Sequence, residues 1–275
     1  MYAGLTYPSV GFGFGSALSK TANISGQTAV TTSGSNNTKG SWVELESSTD
    51  YAVHGFYIIV DNTARSANTQ RILLDVGIGG AGSEQVLVPN LLFSTGVVVD
   101  RVQAGHHVYI PMRIPAGTRV SARTQVNASA SRTANVAIIF NYSGESLLPI
   151  YQNGDALGIT TGSTSGVTVN SGSGSYGSYT TIATISREYS ALGALCVGCA
   201  NGTLNSSFLG VDIAVNRGSD IFLFRRGFVV TTDESIGWVN DLLPYYGKFL
   251  SGDVIKARCW YSNSKDFHIS LHGFY

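Results

Sequence analysis

The segment Thr118-Arg-Val-Ser-Ala-Arg-Thr-Gln-Val126 alternates between two kinds of side chain. Arginine, serine and glutamine occupy every second position, and valine, alanine and threonine occupy the positions between them. Because successive side chains of an extended strand point to opposite faces of a sheet, this alternation predicts a β-strand with two different faces. We expect a wet face and a dry face that packs on a second sheet, the wet one made by Arg119, Ser121, Arg123 and Gln125.

The region around this strand occurs twice in the chain. Ile114-Pro-Ala-Gly-Thr-Arg-Val-Ser-Ala-Arg123 aligns with Phe249-Leu-Ser-Gly-Asp-Val-Ile-Lys-Ala-Arg258, and each copy then runs to a tyrosine, Tyr142 or Tyr275. A fixed order of shared segments indicates two diverged copies and therefore two similar domains. Three earlier segments match in the same order: Asp50-Tyr51 with Glu188-Tyr189, Leu74-Asp75-Val76 with Val211-Asp212-Ile213, and Leu91-Leu92-Phe93 with Phe222-Leu223-Phe224.

Short runs of β-branched, aromatic and aliphatic residues, separated by Gly, Asn or Pro, predict strands throughout both copies. No segment of convincing length has the periodicity of a helix; residues 238–243 come nearest and end at Pro244. The sequence predicts an all-β protein of two tandem, related antiparallel β-sandwich domains, similar to jelly rolls, after an extended N-terminal arm. The predicted strands are 51–60, 71–78, 84–88, 97–102, 107–114, 119–126 and 135–142, then 190–199, 209–215, 221–231, 254–260 and 267–275.

Composition sets the boundaries of these units. Residues 1–40 form the predicted arm and linker, 41–146 the first domain, 147–178 a Gly/Ser/Thr-rich linker, and 179–275 the second domain. The second linker is either flexible or draped over its domain. We expect the arm to contact a neighbouring subunit through Tyr2, Tyr7, Phe12 and Phe14, the alternative being a frayed terminus.

Charge and length limit the classes of partner. The chain has 275 residues, with 17 Lys and Arg against 17 Asp and Glu, so it lacks the basic surface that a nucleic acid requires. Only 12% of its residues are charged, against about 25% in typical soluble domains, which indicates either assembly into a larger particle or a secreted β protein. No apolar run is long enough for a membrane span, and the N-terminus lacks the pattern of a signal peptide, so we expect a soluble product.

Candidate catalytic groups are few. No Gly-x-Ser-x-Gly motif accompanies the five histidines, which argues against a nucleophilic triad. Carboxylate pairs for glycosidic cleavage would be Asp75 with Glu84, or Asp212 with Asp233 or Glu234. The repeated Asp75 and Asp212 more readily cap a turn or bind a backbone N–H. We therefore predict no catalytic residues.

Metal and cofactor sites are not expected either. Cys196, Cys199, Cys259 and His268 are suitable ligand types, but positions three apart on a strand face opposite sides, so buried thiols are the better interpretation. His268 and His272 share a face but lie ~13 Å apart. Gly77-Ile-Gly-Gly-Ala-Gly82 lacks the following helix of a phosphate loop, so a tight turn explains it better. The tyrosines best placed for exposure are Tyr176, Tyr179, Tyr245 and Tyr246.

Two stretches carry a resemblance. Leu74-Asp-Val-Gly-Ile-Gly-Gly-Ala-Gly-Ser-Glu-Gln-Val-Leu-Val-Pro-Asn-Leu-Leu92 and Tyr109-Ile-Pro-Met-Arg-Ile-Pro-Ala-Gly-Thr-Arg-Val-Ser-Ala-Arg123 resemble virion structural proteins of tailed bacteriophages. The resemblance covers the first copy and implies a β-sandwich component of a phage particle, assembled in the bacterial cytoplasm. It does not separate capsid decoration proteins from tail or fibre proteins.

Three functions follow as hypotheses. The first is a non-enzymatic capsid decoration or cement protein, forming a homo-oligomer and bridging subunits of the major capsid protein without nucleic acid, membrane or cofactor. The second is a tail or fibre component that binds a host surface glycan. The third, a polysaccharide-degrading enzyme, requires a carboxylate pair in a cleft and has the least support.

Overall fold

The protein is all-β, as the sequence predicts. A computed structural model describes residues 12–14, 27–62, 71–94, 106–142, 149–199, 207–218, 220–232, 238–240 and 245–275. Within these ranges a 3₁₀ turn at Thr161–Ser163 accompanies the strands, and no α-helix occurs. The strands are β1 (Phe12–Phe14), β2 (Thr28–Thr31), β3 (Val43–Glu46), β4 (Val53–Asn62), β5 (Arg71–Ile78), β6 (Gln85–Ser94), β7 (His106–Ile114), β8 (Val120–Val126), β9 (Thr133–Asn141), β10 (Gly154–Leu157), β11 (Ile159–Thr160), β12 (Ser165–Ser173), β13 (Ser175–Tyr176), β14 (Thr180–Thr184), β15 (Tyr189–Cys199), β16 (Ser207–Arg217), β17 (Asp220–Thr232), β18 (Trp238–Asn240), β19 (Tyr245–Phe249), β20 (Val254–Tyr261) and β21 (Asp266–Phe274).

The first half of the chain builds two antiparallel sheets. One has the order β1-β9-β4-β7, with β2 also on β9, and the other has the order β3-β8-β5-β6. Apolar side chains from both sheets form one core cluster, which includes Val30, Phe56, Ile72, Val120 and Phe140. Burial of these side chains is the main stabilising contribution to the first half.

Strand β8 has the two faces that its alternation predicts. Val120, Ala122 and Val126 lie in the core, whereas Ser121 and Gln125 lie on the opposite face. That second face is not wet, however, because Ser121 and Gln125 are also buried. Other parts of the chain cover it, and Gln125 donates hydrogen bonds to residues of the turn at Thr161–Ser163 and the position after it.

The second half builds a sheet of 12 strands with the central order β17-β16-β20-β12-β21-β15-β18. Strand β12 joins two parts of it: Val167 to Asn170 pair antiparallel with β21, and Ser171 to Ser173 pair in parallel with β20. The shorter strands β10, β13, β14 and β19 add to β21, β20, β20 and β15 respectively. A separate core cluster lies between these parts and includes Val169, Leu195, Ile213, Ile255 and Phe267.

Both ranges predicted to be arm or linker contain strands. Strand β2 lies within residues 1–40 and places Val30 in the first core, and β10 to β13 lie within residues 147–178. Small residues allow this arrangement because they let backbones approach closely: a Cβ on Gly166 would lie 2.6 Å from the backbone oxygen of Ile269. Residues 149–178 of the second range thus contain strands that pair with β20 and β21, which agrees with the draped alternative.

Two of the aligned segments have equivalent strand partners. Asp75 is the direct cross-strand partner of Arg123, and Asp212 is the direct partner of Arg258. One matched segment is wrong in register: Leu74 pairs with Leu91, but Val211 pairs with Phe228, so Phe228 and not Phe222 occupies the equivalent position. The predicted strand 97–102 lies outside the described residues, and Trp238–Asn240, at the start of the segment nearest to a helix, is a strand.

Candidate functional site

The outer faces of the two halves meet in a buried contact, which we call the seam. It is formed by β5, β6 and β8 of the first half and by β15, β21 and the turn before β12 of the second half. At its centre Leu73, Leu92 and Cys196 form a small apolar cluster, with Ile159 packed against it. All three central side chains are at most 2% exposed, so the contact excludes water there.

Thr164 fixes one end of the seam. Its Oγ1 accepts a hydrogen bond of 2.8 Å from Gln125 and donates one of 2.7 Å to Asn37, and its carbonyl oxygen accepts one of 3.0 Å from Nε of Arg71. Thr164 is fully buried and has a φ of 48°, a left-handed conformation that β-branched residues rarely adopt. The contacts from the first half offset this local strain, since strained conformations persist only where the surrounding structure holds them.

His268 lies between the same arginine and its own half. Nη1 of Arg71 donates to Nε2 of His268 at 2.8 Å, so Nδ1 carries the proton and donates to the carbonyl of Gly166 at 3.1 Å. Burial, together with the neighbouring charge of Arg71, lowers the pKa of His268 to about 4. The histidine is therefore neutral at pH 7 and acts as an acceptor across the seam.

His272 makes the corresponding contact at the other end. Its Nε2 lies 2.6 Å from the carbonyl oxygen of Pro89, and because a carbonyl only accepts, Nε2 carries the proton. Burial lowers the pKa of His272 to about 4. Among the described residues, three buried side-chain atoms have no hydrogen-bond partner, and all three belong to strands of the seam: Oδ1 of Asn90, Oγ of Ser270 and Nδ1 of His272.

Asp75 is a buried carboxylate beside the seam. Its Oδ1 accepts from Nζ of Lys39 and from the backbone N–H of Asn90, both at 2.8 Å, and its Oδ2 accepts from Nε of Arg123 at 2.9 Å. The guanidinium of Arg123 also stacks 4.5 Å from the ring centre of Trp42. Burial lowers the pKa of Lys39, although the charge of Asp75 opposes this effect. The prediction that Asp75 binds a backbone N–H is confirmed.

Asp212 repeats this arrangement in the second half. Its Oδ2 accepts from Nε and Nη2 of Arg258 at 2.8 and 2.7 Å, and the guanidinium lies 4.7 and 4.6 Å from the ring centres of Tyr176 and Tyr179. Burial alone would lower the pKa of Arg258, but the hydrogen bond and charge of Asp212 outweigh it and raise the pKa. Each half thus holds a buried aspartate, a cross-strand arginine and an aromatic ring, an arrangement that links strands.

Among the described residues, those considered as catalytic groups or metal ligands do not come together in one site. Asp75 and Glu84 bind different cations, since Glu84 accepts from Nη1 of Arg119 at 2.9 Å. Asp233 and Glu234 lie outside the described residues. Cys196 and Cys259 are free, buried thiols, and burial raises the pKa of both. Within the described ranges no three His, Cys, Asp or Glu side chains group as metal ligands.

The remaining predicted sites have simpler placements. The turn containing Gly79 and Gly82, with φ of 111° and 83°, joins β5 to β6, as expected of a tight turn. Tyr176 and Tyr179 are half-buried against Arg258, whereas Tyr246 is 40% exposed.

The arm residues are only partly described. Phe12 and Phe14 lie in β1, which pairs with β9 of the same chain from Asn141 to Ile139, and Tyr2 and Tyr7 lie outside the described residues. Contact of these four side chains with a neighbouring subunit stays a prediction. An open groove of about 550 Å³ lies nearby between β2 and β3, lined by Ala29, Thr31, Thr32, Ser33, Lys39, Gly40, Ser41 and Val43.

From the sequence, His268 and His272 are expected only to be poor metal ligands, and their place in the seam is not predicted. The signal was present in β21, where polar His268, Ser270 and His272 alternate with Phe267, Ile269 and Leu271. Because alternate residues of a strand face opposite sides of the sheet, this pattern indicates that β21 has one apolar face and one polar face, and that the polar face is covered as well.

Comparisons with known proteins give no family. No protein-family model matches the chain, and the search of the curated proteins found no match. Among the described residues no helix is both long and apolar enough to cross a membrane.

Proposed function

We propose that this chain is a non-enzymatic structural protein of a bacteriophage capsid, built from two tandem jelly rolls. The observation that carries the proposal is the strand order. If the eight main strands of each half are numbered from one to eight, both halves have the sheets 1-8-3-6 and 2-7-4-5. These are β2-β9-β4-β7 and β3-β8-β5-β6 in the first half, and β12-β21-β15-β19 and β14-β20-β16-β17 in the second.

This order is the one expected of a jelly roll, in which two four-stranded sheets face each other. Jelly rolls occur widely in viral capsids and lectins, so the order alone supports a class of functions and not one function. The resemblance of residues 74–92 and 109–123 to phage virion proteins supports a virion component within that class, of the capsid or of the tail. The low charge of the chain agrees with a surface that neighbouring subunits cover.

Within a capsid, the seam favours a subunit that packs with its own copies. The outer face of one half already covers the outer face of the other, and copies placed around a symmetry axis would repeat this kind of contact between chains. Burial of apolar area at each contact, at about 25 cal/mol per Å², would stabilise the assembly in proportion to the number of copies.

The cement role is the second candidate. It would bridge subunits of a separate major capsid protein, and the open groove between edge strands β2 and β3 supports it, because edge strands can accept an additional strand from a partner. In both roles the buried Asp–Arg pairs link strands, and no catalytic residue, metal or cofactor is invoked. Both roles place the protein in the virion, after assembly in the host cytoplasm.

The test is to delete the gene from the producing phage and to image the particles by electron microscopy. We expect no closed heads if the protein is a shell subunit, and fragile or undecorated heads if it is cement. Normal heads that fail to adsorb would support the tail or fibre alternative with its host glycan. Normal, infectious particles would contradict a structural role altogether.

Purified full-length protein gives an independent measurement. Light scattering and negative-stain images should show closed oligomers of one size for a shell subunit. A strictly monomeric protein at concentrations up to those of assembly would contradict self-association and leave the cement role.

A further inference from the structure

Two of the three unpartnered polar atoms belong to one face of β21, and the third belongs to Asn90 of β6 in the first half. Ser270 and His272 are alternate residues on the outer face of β21, since Ile269 and Leu271 between and beside them lie in the second core. Asn90 follows Pro89, whose carbonyl accepts from His272. Ser270 and His272 are each 1% exposed, so bulk water does not reach them.

The hydrogen-bonding character of these atoms is defined by their other contacts. Oδ1 of Asn90 is an acceptor, and Nδ1 of His272 is an acceptor because the proton is on Nε2. Oγ of Ser270 has a hydroxyl hydrogen to donate. The set therefore has two acceptors and one donor, and none of the three has a protein partner within the described residues.

An unsatisfied buried polar atom costs about 1–3 kcal/mol, and native proteins satisfy nearly all such atoms. Two acceptors and one donor are complementary to a single water molecule, which donates twice and accepts at least once. Buried waters in proteins typically make about three hydrogen bonds to groups of this kind. A metal ion fits less well, because only the imidazole nitrogen is a strong ligand and neither oxygen carries a charge.

We propose that the seam contains a binding site for one ordered water molecule, which donates to Asn90 Oδ1 and His272 Nδ1 and accepts from Ser270 Oγ. The water joins Asn90 of the first half to Ser270 and His272 of the second. The contact between the halves is then dry at Leu73 and Leu92 and hydrated on the side of Ser270, the cross-strand partner of Cys196. This inference is independent of the proposed capsid role, because it concerns how the two halves of one chain are joined.

The substitution Ser270→Ala tests the site by the sign of its effect. If the hydroxyl donates to a bound water, its removal lowers the folding equilibrium constant about fivefold. If the hydroxyl is buried without a partner, its removal leaves the constant unchanged or raises it, and the proposal is overturned. Ser47→Ala, at an exposed position, is the matched control and should leave the constant unchanged within error.

A double-mutant cycle tests whether the atoms share one ligand. Asn90 has a φ of 50°, which glycine adopts easily, so Asn90→Gly removes Oδ1 without straining the backbone. Because both side chains act through the same water, the double variant should lose less stability than the sum of the single variants. Strict additivity would contradict a shared ligand.

A crystal structure of the full chain provides the direct observation. We expect one density peak at roughly 2.7–3.2 Å from all three atoms. A dry seam in which the three side chains pair with each other, or a peak whose distances and height require a metal ion, would overturn the proposal.

Discussion

Acid should weaken the contact between the two halves, because two histidines are held neutral in it. Both His268 and His272 have a pKa of about 4 in the folded protein, against an ordinary value of 6.5. As the pH falls below 6.5 the unfolded chain therefore binds protons that the folded chain does not. Stability is complete above pH 6.5, is lost progressively as the pH falls, and stops changing from this cause below about pH 4.

The expected magnitude follows from these values. At pH 5 each histidine destabilises the fold by about 2 kcal/mol relative to pH 7.5, and the pair by about 4 kcal/mol. Since total stabilities are about 5–15 kcal/mol, this is a large fraction, equivalent to roughly 10 °C in Tm. Two carboxylates, Asp75 and Asp155, interact with His272 and favour its protonation. Each of them already binds cationic side chains, since Asp75 accepts from Lys39 and Arg123 and Asp155 pairs with Arg187.

The assay is calorimetry of the full chain between pH 7.5 and 5, a window above the ordinary titration of carboxylates. His268→Gln and His272→Gln keep amide groups that can donate to Gly166 and Pro89 and accept from Arg71, but they do not titrate. Each should remove about half of the loss in Tm between pH 6.5 and 5, and the double variant most of it. A double variant with the same pH slope as the unmodified protein would refute the reasoning.

Three further predictions concern other contacts. Asp212→Asn should cost about 1–3 kcal/mol in denaturant unfolding, because it neutralises a carboxylate that is 1% exposed and that holds half-buried Arg258, whereas Glu188→Gln, at an exposed pair with Lys248, should change stability by less than about 1 kcal/mol; equal effects would contradict the role of burial. Gly166→Ala should lower the free energy of unfolding by about 1–3 kcal/mol in thermal melts, because the new Cβ pushes β12 away from Ile269. Gly162→Ala is the control, since a Cβ there meets nothing within 4 Å. Leu92→Ala should open the apolar centre of the seam and accelerate thiol labelling of Cys196, as measured by mass spectrometry. Cys259 lies in the second core and should stay protected. Labelling of both cysteines at the same rate would indicate global unfolding instead.

Alternation of side chains was sufficient to predict the fold class and many strands. Residues 71–78 were predicted with the bounds that β5 has, and the polar and apolar positions of residues 119–126 separate as expected. The repeat alignment matched Asp75 with Asp212 and Arg123 with Arg258, and the structure shows that the aspartate and the arginine of each copy are cross-strand partners. Register is strongly specified where a face of the strand is buried, so the two copies keep the same pairing.

Strands made of small polar residues could not be predicted in the same way. Residues 165–173 are rich in Ser, Gly, Val and Thr, and they form β12 because β20 and β21 provide partners for the backbone. The incorrect alignment of Phe222 with Leu91 also results from irregular strand pairing. Register shifts near Val211 and Ile213 and a longer hairpin move Phe228 into the equivalent position, and such irregularities leave no simple periodicity.

The seam itself was beyond prediction for a different reason. Alternation shows that a strand has two faces but does not identify what covers the second one. His268 and His272 are neither charged nor close enough for a metal site, so sequence reasoning gave them no role. Their function in joining the halves follows only from the positions of Arg71 and Pro89, nearly 200 residues earlier in the chain.

Strand β12 gives the two halves different mechanical properties. In the second half it is hydrogen-bonded to β21 along one part and to β20 along another, so sliding one layer over the other requires the backbone bonds of Ser171 to Ser173 to break. In the described part of the first half, no strand bridges the two layers in this way, and the segment after β2 makes two backbone hydrogen bonds to β8, from the N–H groups of Asn37 and Gly40 to the carbonyls of Val126 and Thr124. Under shear the carboxyl-terminal half is therefore the stiffer element, and deformation of a loaded chain should begin in the amino-terminal half.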